Sequence, residues 1–192
     1  MERVLHRLDD RPGLARSRGC PKKGAVAENA ACAGEPADHA LGRSRGGFTT
    51  KLHLVTDRRG LPLAIVLTPG QRNDSTQFEA VLDAVAVRQR SGQTRRRPIR
   101  VLADRGYDAD RIRAWLRRRG IGAVIPPKKN RTRRLRYDRA LYRERNVVER
   151  SLGHLKEHRR IGTRHEKLAQ SYRAMVQLAM IERYLREYPD RA

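Results

Sequence analysis

Ile99-Arg-Val-Leu-Ala-Asp104-Arg-Gly-Tyr107, continued by Asp108-Ala-Asp-Arg-Ile-Arg-Ala-Trp-Leu-Arg117 and closed by Ala123-Val-Ile-Pro-Pro127, is the stretch that sets the fold class. Ile99 to Ala103 is a short strand that ends at a carboxylate, where a buried strand emerges into loops. Asp108 stands where a helix cap is expected. Ile112, Trp115 and Leu116 recur at i, i+3 and i+4, and Gly120 ends the helix. Ala123 to Ile125 is a second short strand, stopped by the prolines. At this spacing Trp115 reads as core, in preference to a platform for a stacked base.

The flanks extend this strand–helix–strand unit. Thr49 to Asp57 alternates, with Leu52 and Leu54 on one side. Arg58-Arg59-Gly60 turns the chain, and Leu61 to Thr68 is a continuous apolar run suited to a strand covered on both faces. The two form an antiparallel hairpin. Asn73-Asp74-Ser75 opens a helix, Asp74 and Gln77 having the capping-box spacing. Phe78, Val81, Leu82 and Val85 give that helix its apolar face. Ser91 to Pro98 and Lys128 to Arg136 are basic loops. Two helices close the chain, Tyr142–Lys156 and about 168–186, the last burying Leu168, Tyr172, Met175, Val176, Ala179 and Leu185. The expectation is an α/β fold with a mixed sheet flanked by helices. Residues 1–37 read as an irregular tail, 38–187 as the core and 188–192 as a C-terminal tail.

The chain carries 44 Lys+Arg against 21 Asp+Glu, a formal charge of +23 over 192 residues. Such an excess points to a polyanion. No run approaches the 18 or more apolar residues of a spanning helix, and no signal peptide opens the chain, so a cytoplasmic, nucleoid-associated protein without membrane contact is expected. Cys20 and Cys32 lack zinc-ligand spacing and read as incidental thiols. Between Thr94 and Arg136 stand sixteen Lys or Arg and three acids, a ratio too lopsided for ordinary surface mixing. Arg95–Arg97, Arg117–Arg119 and Lys128–Arg136 are the clusters expected to meet phosphates. A ribosome-associated RNA binder would share this charge.

The Tyr142–Lys156 helix adds chemistry. Tyr142, Arg145, Glu149 and Lys156 fall within an arc of roughly 60° on an ideal helix. Leu141, Val148, Leu152 and Leu155 form an apolar stripe beside them. A carboxylate flanked by cations suits a divalent metal and a phosphate. A solvated, salt-bridged face is the plainer alternative.

The pattern Tyr-x2-Arg-x3-Glu-x6-Lys at Tyr142, Arg145, Glu149 and Lys156 resembles the signature around the catalytic Glu of bacterial insertion-sequence transposases of the DDE type. Asp104-Arg-Gly-Tyr107 with Ala-Val-Ile-Pro-Pro127 resembles the second acidic motif of that family. Gly42-Arg-Ser-Arg-Gly-Gly-Phe-Thr-Thr-Lys51 and Thr68-Pro-Gly70 through Asp74-Ser75 are also similar to it. The resemblance implies an RNase H-like core and metal-dependent DNA cleavage and strand transfer. It implies Asp104 and Glu149 as ligands of Mg²⁺ or Mn²⁺ in a two-metal site, with metals roughly 3.5–4 Å apart. Tyr142, Arg145 and Lys156 would orient helix and DNA, and Arg117, Arg118, Lys128 and Lys129 would add phosphate contacts. The partner would be double-stranded DNA, the terminal inverted repeats and the target, with self-association or the product of an upstream frame as further partners.

One element departs from the family pattern. The first catalytic Asp belongs on the first strand, in a context like Val-Asp-Ser-Thr. Here the region reads Leu8-Asp-Asp-Arg-Pro-Gly13, with Asp9 and Asp10 in about the right place but no apolar strand around them, and Pro12 and Gly13 oppose one. The expectation is a core lacking its first strand. The coding string GTGGACTCGACGATCGCCCGG gives Val-Asp-Ser-Thr-Ile-Ala-Arg in one frame and, in another, Leu-Asp-Asp-Arg-Pro with the first base of a Gly codon after it. Residues before about Lys22 would then be out of frame, with a ribosomal slip near Lys22-Lys23, or else the gene is decayed or mis-called. With only Asp104 and Glu149, weak metal binding and little cleavage are expected of this chain alone. A non-catalytic, basic DNA-binding remnant is the competing reading.

Overall fold

A computed structural model describes residues 35–44, 47–132 and 135–188, and the backbone of 2–7. Asp9, Asp10, Cys20, Cys32 and the Lys22-Lys23 pair lie outside the described residues. The strands are β1 (Glu2–Arg7), β2 (Gly42–Ser44), β3 (Gly47–Thr56), β4 (Pro62–Pro69), β5 (Val87–Arg88), β6 (Thr94–Arg95), β7 (Arg100–Ala103) and β8 (Gly122–Val124). The helices are α1 (Asp74–Asp83), α2 (Asp110–Arg118), α3 (Arg139–Arg143), α4 (Asn146–Glu157), α5 (Arg159–Gly162) and α6 (Ala169–Glu187).

Across the main sheet the order is β4-β3-β1-β7-β8, and β2 pairs with the start of β3. β1 runs antiparallel to β3 (Val4↔Thr56, Arg7↔His53) and parallel to β7 (Glu2↔Arg100, Leu5↔Ala103). β8 is parallel to β7. The sheet is mixed, as expected.

The absence of a first strand is corrected by this structure. The strand exists, at Glu2–Arg7, and it is central. Two apolar residues among charged ones gave no strand pattern. Its state comes from pairing on both sides, which overrides weak local propensity.

Alternation along each strand sorts side chains to two cores. Leu52, Leu54, Ile65, Leu102 and Val124 pack with Leu141, Val148, Leu152, Leu155, Tyr172 and Val176 of the α3–α6 layer. Val55, Ala64, Val101 and Ala103 pack with Phe78, Val81, Leu82, Ile112, Trp115 and Leu116 of α1 and α2. Trp115 is core: it stands edge-on to Phe78 at 5.9 Å and is covered by Arg119 at 4.1 Å.

Four local readings are corrected. Asn73, not Asp74, caps α1, accepting from Ser75 N–H at 3.0 Å, while Asp74 pairs with the buried Lys51 at 3.2 Å. Asp108 makes no cap to α2 and is held by basic partners described below. The Tyr142–Lys156 helix is two helices, broken at Glu144 and Arg145, where three-residue hydrogen bonds (Val147 N–H to Glu144 O and Val148 N–H to Arg145 O, each 3.1 Å) tighten the chain. Glu144 is tied there to Arg58 of the β3–β4 turn at 2.7 Å. Leu168 and Leu185, expected in the core, are exposed, because α6 turns Tyr172, Val176 and Ala179 to the sheet instead. Glu35 caps α6 from a distant part of the chain, accepting from Ala169 N–H (2.7 Å) and Gln170 N–H (2.9 Å).

Candidate active site at the carboxyl edge of the sheet

Asp104 follows β7 in extended conformation (φ −72°, ψ 173°), and its Oδ1 accepts from Gly106 N–H at 2.8 Å, starting a 3₁₀ turn over Arg105–Tyr107. Asp104 thus both ends the strand and begins a turn. Leu102 faces the α4 layer and Val101 and Ala103 face away, so alternation sends Asp104 to the α4 side.

Glu149 lies in the first turn of α4, where Arg145 Nη2 donates to its Oε1 at 2.7 Å. The Arg145 guanidinium sits 5.6 Å from the ring of Tyr142 on α3, and Tyr142 meets Tyr137 edge-on at 5.6 Å. The structure thus joins Tyr142, Arg145 and Glu149 despite the break between α3 and α4. Lys156 is exposed further along α4.

The opposite flank of α4 fixes its rotation. Ser151 Oγ donates to Gly60 O at 2.5 Å, and a Cβ added at Gly60 would stand 3.0 Å from Val147 Cγ1. Gly60 (φ 86°) turns β3 into β4 at the amino end of β1 and β7, the far end from Asp104. Glu149 and Lys156 are about 160–180° round the helix from the Val147–Ser151 flank. They are turned away from that far end.

The carboxyl edge also holds the most connected acid of the site. Asp108 is buried and accepts from Arg113 Nε (2.7 Å), Lys128 N–H (2.7 Å) and Arg131 Nε (3.0 Å). Burial alone would raise its pKa, but these donors outweigh it and hold the carboxyl below its ordinary range. Arg131 also binds Asp110 at 2.7 Å, and its pKa is raised by the bonds to Asp110 and Asp108. Sequence reasoning gave Asp108 a capping role. The signal for its actual role was the basic run that starts twenty residues later at Lys128.

Close approach explains Gly42 and Gly70. A Cβ at Gly70 would lie 2.0 Å from Thr49 Oγ1, and one at Gly42 would lie 1.6 Å from Gln71 Oε1. The Gly42–Lys51 and Thr68–Ser75 stretches pack on each other and position the entry to α1. Lys51 joins in by donating to Arg72 O at 2.5 Å.

The other candidates do not all converge. Lys128 and Lys129 are exposed beside Asp108 at the carboxyl edge. Arg117 and Arg118 are exposed at the C-terminal end of α2, on the other layer and at the amino edge. Among the described residues no group of three His, Cys, Asp or Glu is arranged to hold a metal ion. One step beyond Leu5↔Ala103, the β1 position level with Asp104 is His6.

Residues 18–181 match the family described as transposase DDE domain. The chain belongs to this family. It is 41% identical over 137 residues to the putative transposase for insertion sequence element IS402 of Burkholderia cepacia, covering 71% of this chain and 62% of that protein. It is 36% identical over 141 residues to the putative transposase for insertion sequence element IS6501 of Brucella ovis, covering 72% of this chain and all of that protein. This DDE transposase domain therefore spans less than two thirds of the IS402 relative and the whole of the IS6501 one. Among its described residues no helix is long and apolar enough to cross a membrane.

Proposed function

We propose that the chain is the catalytic portion of an insertion-sequence transposase, built on an RNase H-like core, that cleaves DNA strands and transfers their ends in a metal-dependent reaction. The match of residues 18–181 to the transposase DDE domain family supports this reading, together with the sides to which Asp104 and Glu149 are turned. Strand alternation sends Asp104 to the α4 side, and the rotation of α4 turns Glu149 away from the distant β3–β4 turn. Double-stranded DNA, the element's terminal repeats and its target, is the substrate.

Both carboxylates suit Mg²⁺ or Mn²⁺ in donor type. Among the described residues they fall short in number: His6 stands level with Asp104 on β1, and the sequence candidates for a third carboxylate, Asp9 and Asp10, lie outside those residues. The residues in hand hold and orient. Arg145 fixes the Glu149 carboxylate, Tyr142 backs the Arg145 guanidinium, and Lys156, Lys128 and Lys129 offer charge to a DNA backbone.

A non-catalytic DNA-binding remnant is the second reading, and the His6 position favours it. Mn²⁺ titration of the full chain by paramagnetic water relaxation, followed by nicking of supercoiled DNA, separates the two. The catalytic reading expects Mn²⁺ uptake that Glu149→Gln and Asp104→Asn each weaken at least tenfold, with weak nicking that follows. Equal uptake in wild type and both variants would remove Asp104 and Glu149 as ligands. DNA binding that persists without any metal dependence would leave the remnant reading standing.

A further inference from the structure

Nine of the arginines between α1 and β8 collect at the edge of the sheet far from Asp104. β5 and β6 form a hairpin (Val87↔Arg95, Arg88↔Thr94), closed by Gln89 N–H to Gln93 O at 2.8 Å and turned at Gly92 (φ 82°). The exit of the hairpin meets the end of α2. Gly122 N–H donates to Ile99 O at 2.9 Å, and Arg97 Nη1 lies 3.9 Å from where a Cβ of Gly120 would stand. One edge therefore carries Arg88, Arg90 and Arg95–Arg97 from the hairpin, Arg100 from the start of β7, and Arg117–Arg119 from the last turn of α2.

Residues 84–100 contain six arginines and no acid, and residues 111–120 contain five arginines and no acid. Asp83 engages Arg119 at 2.6 Å. The helix dipole gives Arg117 and Arg118 a structural reason to sit at the end of α2. It does not act on the hairpin, where six arginines and no acid in residues 84–100 make an excess of positive charge that suits a polyanion.

This surface is separated from the lysines of the carboxyl edge. Between them, along the first turns of α2, every cation has an acid partner: Arg111 with Glu79 (3.9 Å), Arg113 with Asp108 (2.7 Å) and Arg131 with Asp110 (2.7 Å). The positive field is interrupted there. Arginine forks match phosphate oxygens bidentately, and a short exposed hairpin with a helix end reads no base sequence.

We infer that this arginine edge is a second duplex-DNA surface, holding a DNA segment other than the one presented to Asp104 and Glu149. It rests on the reading above that the partner is DNA. Duplex DNA is stiff over about 50 nm, so one short duplex does not bend round to both ends of a domain of this size.

The test is saturation stoichiometry of the full chain with a 12-bp duplex, followed by sedimentation and counted per chain so that self-association does not alter the ratio. Two duplexes per chain are expected. The triple variant Arg90→Gln, Arg117→Gln, Arg118→Gln should bind one, and so should Lys128→Gln, Lys129→Gln, each losing a different step. One duplex per chain, with both variants weakening the same step, would overturn the inference and lay a single duplex along α2. Two duplexes in the triple variant would overturn it while leaving DNA as the partner. No binding by wild type would overturn both this inference and the DNA reading beneath it.

Discussion

Replacing Asp108 by Asn tests the account of the carboxyl edge most directly. Asn keeps the shape but removes the charge from a buried group that accepts three bonds, from Arg113 Nε, Lys128 N–H and Arg131 Nε. Its amide retains one carbonyl acceptor, and its NH₂ faces donors. Removing one member of a buried ion pair costs about 3–5 kcal/mol. The Arg113 and Arg131 side chains keep 13% and 17% of their exposure, so water recovers part of that. About 3 kcal/mol is the expected loss at pH 7, or about 6–12 °C in Tm for a domain of this length. Urea unfolding followed by circular dichroism should show a lower midpoint at unchanged slope. The pH dependence carries the sign. The folded pKa of Asp108 lies below the ordinary 3.8, so its stabilisation is complete above that pH and fades as pH falls through the lower, folded value. Wild type and variant should therefore differ fully at pH 7 and converge under strong acid. A loss under about 1 kcal/mol at pH 7, or a gap that does not narrow in acid, would refute the reasoning.

Other substitutions probe other parts. Glu35→Gln should cost about 1 kcal/mol by weakening the α6 cap, and exchange at the Ala169 and Gln170 amides should quicken. Because burial of Glu35 is outweighed by bonds from His39, Gln170 and Ala169, its pKa is lowered, and this effect should fade as pH falls below 4.5. Gly60→Ala places a Cβ 2.8 Å from Ser151 Oγ at φ 86° and should destabilise by at least about 1–2 kcal/mol, read by urea titration. Trp115→Ala should cost about 3–5 kcal/mol while DNA affinity per folded molecule stays level; a selective fall in affinity would revive base stacking. DNA binding by the wild type should weaken steeply with salt in fluorescence anisotropy, and a flat response would remove the phosphate contacts.

What was legible in the sequence was local and periodic. Val101–Leu102 and Ile112–Trp115–Leu116 announced strand and helix because each packs by its own repeat. β1 was illegible because its pairing partners lie about fifty and a hundred residues away, and Glu2–Arg7 has little pattern of its own. The break between α3 and α4 carries neither Gly nor Pro, and a tie from Glu144 to Arg58 marks it. Of the site, Arg145 with Glu149 followed from helical spacing. The separation of Arg117 and Arg118 from Lys128 and Lys129 did not, since ten residues of sequence run from one edge of the sheet to the other when a strand lies between them.

β1 also sets a clock for synthesis. Its backbone must receive β3 on one side and β7 on the other, and β7 leaves the ribosome about a hundred residues after it. At roughly 5–20 residues per second, the nascent β1 waits for about 5–20 seconds with its β7-facing edge open. The hairpin of β3 and β4 forms early and can shield one side of it. Translation speed between codons 60 and 100 is thus a handle on how much chain reaches the native sheet and how much pairs with a neighbour on the same message.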